Sequence, residues 1–301
     1  MGLSPRLRAI LLALLVTFLW STSWVLIKRG LTEIPPLTFA GLRYAIAFLV
    51  LLPACWRRSH EVRALSLRDW GQLLALGLVF YALTQGGQFL TLKHLDAITF
   101  SLTLSFTPIL VAMTGAVSLG EQPTRLQWVG IAMTLSGVAL YFLPSGVPRG
   151  GALGFLLAGI TVTANAGAAI LGRAVNRRRA ASPIVITTIS MGIGAVCLLG
   201  TGVGTAGLPH LGLGNWGIIL WLAVVNTALA FTLWNITLRT LSATESSVIS
   251  NTMLIQIAVL AWLFLGETLS PVEIAGLLIV ALGTLLVQIR KRPRTDALPK
   301  R

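Results

Sequence analysis

Long apolar runs dominate this sequence. They lie at about 9–27, 36–54, 71–91, 96–118, 126–143, 152–172, 183–204, 215–238, 243–265 and 271–289. A run of about 18 or more apolar residues crosses a hydrocarbon core of roughly 30 Å as an α-helix. Within lipid every backbone N–H and C=O must find its partner inside the segment, so a helix is what such a run can form there. A barrel would instead show short strands of alternating polarity. Hydrophobic residues make up 55% of the chain and charged residues 11%, too little charge to cover a soluble protein of this length. The expectation is an all-α polytopic membrane protein with ten transmembrane helices.

The ten spans divide into two similar sets of five. Leu119-Gly120-Glu121, followed by Gly130 and Gly137, returns as Leu265-Gly266-Glu267 followed by Gly276 and Gly283. The offset is 146 residues throughout, close to half of 301. Ala82, Leu83, Thr91, Leu92, Leu95, Ala97 and Ser101 also meet identical residues at that offset. Residues 1–147 and 148–301 are therefore expected to be two repeats. An odd number of spans per repeat turns the second copy upside down, an arrangement of secondary transporters whose substrate sites lie near the midplane between the repeats.

Basic residues set the expected orientation. With the N-terminus in the cytoplasm, 18 of the 23 Lys and Arg fall on the cytoplasmic side, 4 fall outside, and Arg43 lies within a span. Both termini are thus expected inside, in the inner or plasma membrane. The net charge of +14 is read as topology and not as a nucleic-acid surface. The N-terminal apolar run lacks a small-residue cleavage site and is read as the first span. Cys55 and Cys197 are two isolated cysteines, and His60, His94 and His210 fall in loops, so no metal or catalytic cluster is expected. No nucleotide-binding loop or hydrolase motif occurs, and neither an enzyme nor a resident cofactor is expected.

Several features together resemble a family. They are the ten spans, the two five-helix halves, a Trp-Ser-x-Ser-x-x-x-x-Lys pattern from Trp20 to Lys28, an Arg in span two, and Gly-Glu-x8-Gly-x6-Gly closing each half. The chain is similar to the EamA-type drug/metabolite transporter superfamily over about residues 9–289. Within it the chain looks most like exporters of amino acids and metabolites, including YddG-type exporters of aromatic amino acids. Nucleotide-sugar and triose-phosphate carriers belong to the same superfamily. The resemblance implies a central cavity lined mainly by the first four helices of each half, and alternating access.

The candidate substrate residues are polar or aromatic groups inside spans. Thr17, Trp20, Ser21, Trp24 and Lys28 share one face of span one. Trp20 and Ser21 are assigned to the cavity wall, and Trp24 and Lys28 to an interfacial belt or the cavity mouth. Tyr81, Gln85 and Gln88 form a polar stripe on span three, which would be costly against lipid. Gly86 and Gly87 between them admit a close neighbour. Arg43 sits about seven residues into span two, and an intramembrane charge is a functional candidate by default. Two readings of Arg43 stay open: it meets an anionic substrate group or cavity water, or it pins helix ends through carbonyls near the outer mouth. In the second half the polar mid-span residues are Asn165, Asn226, Trp234, Asn235, Asn251 and Gln256, of which Asn165 and Trp234 are chosen for the cavity. Pro108 is expected to kink span four and to act in gating. Glu121 and Glu267 are read as scaffold at the starts of spans five and ten, with the paired glycines packing those helices closely.

The expected function is export of a small solute, a neutral or aromatic amino acid, through a midplane cavity. The alternative is exchange of anionic or phosphorylated metabolites in the same fold. The expected partners are the small-molecule substrate and membrane lipids, with no nucleic acid.

Overall fold

A computed structural model of the chain describes residues 4–119, 124–142, 144, 151–178, 180–237, 240–241 and 243–288. Gly120 and Glu121 of the first Gly-Glu pair lie outside them. Among the described residues the helices follow the ten apolar runs to within a few residues. The first five spans are Pro5–Gly30, Pro36–Trp56, Leu67–His94, a span in two pieces (Ala97–Leu104 and Thr107–Leu119), and Arg125–Phe142. The other five are Ala152–Arg178, Pro183–Ala206, the segments from Leu213–Ala223 to Ala230–Thr237, Ala243–Leu265 and Pro271–Gln288. By length and composition alone, spans one, two, three, six, seven and eight can each cross a membrane. The chain is a polytopic all-α membrane protein. A short helix, Ser59–Arg63, interrupts the arginine-rich loop after span two.

Local chemistry sets the helix boundaries. The Ser4 hydroxyl accepts from Leu7 N–H, and Pro5 opens span one. Ser66 and Asp69 form a reciprocal capping box before span three. Equivalent boxes open the last helix of each half. Gln127 accepts from Thr124 N–H at 2.9 Å, and Glu273 accepts from Ser270 N–H at 2.7 Å. These pairs lie 146 residues apart, so the repeat extends to its caps. Gly207 and Gly266, with φ of 71° and 69°, end spans seven and nine in the left-handed conformation that glycine tolerates.

The inverted repeat is visible in the packing of spans five and ten. A Cβ built on Gly130 would lie 2.7 Å from the Gly283 carbonyl oxygen, and one built on Gly137 would lie 2.7 Å from that of Gly276. Gly130 and Gly137 are the repeat equivalents of Gly276 and Gly283. Exchanging the two halves therefore maps each contact onto the other, as a two-fold axis between antiparallel helices requires. Only residues without side chains let the backbones approach this closely.

Span four is broken where the sequence predicts a kink. Ser105 and Phe106 form a turn between its two helices, and Pro108 sits in the first turn of the second. A proline in mid-helix clashes with the carbonyl four residues back, here that of Leu104, while a first-turn position avoids the clash. One feature has no counterpart in the apolar pattern. Gly77–Gln85 in span three and Val224–Leu229 in span eight are π-helical. In each, a threonine hydroxyl donates to the carbonyl five residues back, Thr84 to Val79 at 2.9 Å and Thr227 to Leu222 at 2.8 Å. Such segments concentrate at functional sites.

Candidate functional site: a ring-lined centre between the two halves

A chain of aromatic rings joins the halves in the middle of the bundle. Trp20 of span one meets Phe231 and Trp234 of span eight, with ring centroids 5.3 and 5.2 Å apart. Phe231 faces Phe80 at 6.5 Å, Phe80 faces Tyr81 at 4.8 Å, and Tyr81 meets Tyr44 of span two edge-on at 5.5 Å. The Tyr44 hydroxyl donates to Gln85 Oε1 at 2.8 Å. Tilted and edge-on ring pairs at these distances contribute about 0.5–1.5 kcal/mol each beyond burial. The series begins in the first half, passes through the second and returns to the first. Trp20 Nε1 is buried and has no hydrogen-bond partner among the described residues.

Arg43 sits beside this series. Its residue exposure is 4%, and its guanidinium carbon lies 5.3 Å from the centre of the Tyr44 ring and 6.0 Å from that of Phe89. Its Nε–H donates to Thr227 Oγ1 at 2.9 Å, bridging span two of one half and the π-helical segment of the other. Asn226, the preceding residue, is wholly buried. Its amide nitrogen has three acceptors within reach of its two N–H groups, the Leu19 carbonyl, Thr22 Oγ1 at 3.0 Å and Ser23 Oγ at 2.8 Å, while its Oδ1 has no partner among the described residues.

The residues chosen from sequence do not all meet in one place. Trp20, Trp234, Arg43, Tyr81 and Gln85 belong to the ring-lined centre. Gln88, one turn beyond Gln85, is half-buried and has no hydrogen-bond partner among the described residues. The others are engaged between helices. The single Ser21 hydroxyl hydrogen is shared between the Thr17 carbonyl at 2.8 Å and Gln256 Oε1 of span nine at 2.9 Å. Trp24 is 5% exposed and packs on Phe100 at 5.2 Å, which places it in the core and not in an interfacial belt. Asn165 Nδ2 lies 3.4 Å from Thr107 Oγ1, joining span six to the second piece of span four. Gly86 and Gly87 face Leu198 and Thr161, so neighbouring helices use the space they leave. The centre also holds Tyr44, Phe80, Phe231 and Thr227, which the sequence does not single out. The side chains of Asn235 and Asn251 lie outside the described residues.

At the end of the bundle where span one finishes, a cavity of about 300 Å³ is bordered by Asp96, Thr99, Tyr141, Glu267 and Glu273. Glu267 was expected to serve span ten. It reaches across to the first half instead, accepting from Ala97 N–H at 2.8 Å and Ile98 N–H at 3.0 Å, at the start of span four. The Ser270–Glu273 box already satisfies span ten, which leaves Glu267 available. Burial pushes the Glu267 carboxyl above its ordinary range, against the two N–H groups and Lys28, which favour its charged form. Lys28 donates to the carbonyls of Leu92 and Leu95 at 2.7 and 2.6 Å, closing the end of span three. At the opposite, arginine-bearing end a cleft of about 150 Å³ lies between spans two, seven and eight, and both Arg58 and Phe231 line it.

The comparison with known families settles what class of protein carries this centre. The model of the EamA-like transporter family matches residues 7–143 and, again, 152–289. The chain belongs to that family. An uncharacterized transporter of Bacillus subtilis, YvbV, is 28% identical over 97% of this chain and 95% of its own length. A probable amino-acid metabolite efflux pump of Salmonella typhimurium is 27% identical over 90% of this chain and 92% of the pump. An S-adenosylmethionine/S-adenosylhomocysteine transporter of Chlamydia trachomatis is 26% identical over 93% of this chain and 88% of that protein. A solved crystal structure superposes with a TM-score of 0.64 at 19% identity, covering 93% of this chain and 97% of the other, which supports the fold alone. Family and relatives are transporters and not enzymes, so this EamA-like chain is an integral membrane transporter.

Proposed function

We propose that this transporter exports small amphiphilic solutes, neutral or aromatic amino acids, from the arginine-rich side of the membrane by alternating access. The chain of rings from Trp20 through Phe231, Phe80 and Tyr81 to Tyr44 carries the proposal. A passage that opens between the halves opens through those rings and would offer them to a flat apolar side chain. Gln85, through its amide nitrogen, and Gln88 supply uncharged donors and acceptors for the polar end of a zwitterion. Trp234 extends the ring surface. In this reading Asn165 and Pro108 act where span six meets the break in span four, and Ser21 and Trp24 hold span one in place. The relatives that handle an amino-acid metabolite and an adenosyl amino acid are compatible with a solute that combines amino-acid and ring chemistry.

The test is counterflow of labelled phenylalanine, tryptophan and leucine in proteoliposomes. Uptake of the aromatic pair, lost in Trp20→Ala and Gln85→Ala, is expected. No movement of any amino acid, with no effect of either substitution on the solutes that do move, would discard the proposal.

A further inference from the structure

We infer that Arg43 is the receptor for the anionic group of the transported solute, so that the passage selects molecules carrying a carboxylate. The inference rests on the proposal that the ring-lined centre is the passage, and it deepens that proposal by naming the group the passage reads.

Arg43 is more than nine-tenths buried. A guanidinium holds five N–H donors and cannot be discharged at physiological pH. Among the described residues only one of those donors has a partner, the neutral hydroxyl of Thr227. Among the described residues no carboxylate lies within ion-pair distance of the guanidinium, and its remaining donors have no protein acceptor. A buried charge is costly unless it is paired and hydrogen-bonded, and the rings of Tyr44 and Phe89 offset only part of that cost. An anion arriving with the solute supplies both the missing charge and acceptors for the forked N–H groups.

Lys28 serves as an internal comparison. It lies in the same half near a helix end, and its ammonium is held by two backbone carbonyls at 2.7 and 2.6 Å. That is the bonding of a cation that fastens helices. Among the described residues Arg43 has none of it: no carbonyl bond ties it down, and its one bond goes through Nε, which leaves the two terminal amino groups of the fork without a partner there. The anchoring bond also runs to the opposite half, so Arg43 sits at the seam that alternating access must open.

A carboxylate has the planar two-oxygen geometry that a guanidinium fork accepts. Tyr44, stacked beside the guanidinium, belongs to the ring series, so a solute with its carboxylate on Arg43 would place an aromatic side chain against Tyr44 and Tyr81. Amines that carry the same ring without a carboxylate would meet an unpaired cation and be rejected.

The experiment compares ligands that differ only in charge. Thermal shift and competition binding on the purified full chain use 3-phenylpropionate, its neutral amide 3-phenylpropanamide, and phenethylamine. Wild type is expected to prefer the carboxylate over the amide by about tenfold or more and to show no shift with the amine. Arg43→Gln is expected to bring carboxylate and amide to within about twofold of each other, and Arg43→Lys to restore part of the preference. The wild-type series needs no substitution and decides the matter even where a variant fails to fold. Equal binding of carboxylate and amide by wild type, or an unchanged preference in folded Arg43→Gln, overturns the assignment of Arg43 and leaves the proposed function standing. Failure of every ring-bearing ligand overturns the proposed function and this inference with it.

Discussion

Glu267 accepts the amide N–H of Ala97 at 2.8 Å, so an acid of the second half caps a helix of the first. With the Ile98 bond at 3.0 Å the contact uses both carboxylate oxygens. It ties the loop after span nine to span four at one end of the bundle. Helix N-termini favour such an anion through their unpaired N–H groups and their positive end.

Removing that carboxylate should loosen this end. Glu267→Ala is expected to lower stability by about 2 kcal/mol, since the hydrogen bonds lost involve a charged acceptor. Denaturation of the detergent-solubilised protein measures it; a change below about 0.5 kcal/mol would mean that water replaces the contact at no cost.

The same residue sets a pH dependence of definite sign. The folded carboxyl is raised by burial, so the native state holds its proton at pH values where the unfolded chain has released it. This contribution to stability therefore falls as pH rises from the ordinary carboxylate value to the raised one, and Glu267→Gln should remove that slope. Glu61 works in the opposite direction. Its carboxyl is held low by Ser182, whose N–H it accepts at 2.6 Å, so its contribution is present above the ordinary value and lost as pH falls. Melting temperature against pH for the two Gln variants should show slope changes of opposite sign.

The glycine contacts predict position-specific intolerance. Gly130→Ala and Gly283→Ala each place a methyl carbon within 3 Å of the facing backbone and should cost about 1–3 kcal/mol. A Cβ at Gly159 meets nothing within 4 Å, and Gly159→Ala should be neutral or stabilising by up to about 1 kcal/mol. Equal thermal shifts at the three positions would contradict the packing of spans five and ten.

Gln256 and Ser21 should be energetically coupled. A double-mutant cycle with Ser21→Ala and Gln256→Leu is expected to give about 0.6 kcal/mol, with an upper end near 1.7. A coupling of zero would remove the bond between spans one and nine as a contributor.

Ring geometry should matter more than bulk at the centre. Trp20→Phe is expected to keep most transport of aromatic solutes, whereas Trp20→Leu lowers it by about tenfold, the order expected for losing one stacked ring. Initial counterflow rates separate the two, and equal rates would argue against a stacking role for Trp20.

The architecture was readable because its signals stand out from their surroundings. Apolar runs between charged loops mark the spans, and glycines at matched spacing mark the helices that touch. The centre was readable where a polar or polar-tipped aromatic group interrupts an apolar run, as at Trp20, Arg43, Tyr81, Gln85 and Trp234. Phe80 and Phe231 carry no such contrast, since a phenylalanine inside a membrane span is ordinary whichever way it faces. Ser21 and Trp24 show the opposite failing. They stand out in composition, yet Gln256 and Phe100, more than 70 residues away in sequence, decide what they do. Thr227 lies 184 residues from Arg43, a separation that no local pattern bridges.

The π-helical segments follow the repeat. A π turn closes its hydrogen bond over one residue more than an α turn. Gly77–Gln85 shifted by the repeat offset falls on residues 223–231, which enclose Val224–Leu229. The irregular turn therefore obeys the same two-fold as the glycine contacts of spans five and ten, so a distortion of one half has its counterpart in the other. The backbone is repeated where the side chains are not: Phe80 and Tyr81 in the first half stand where Asn226 and Thr227 stand in the second.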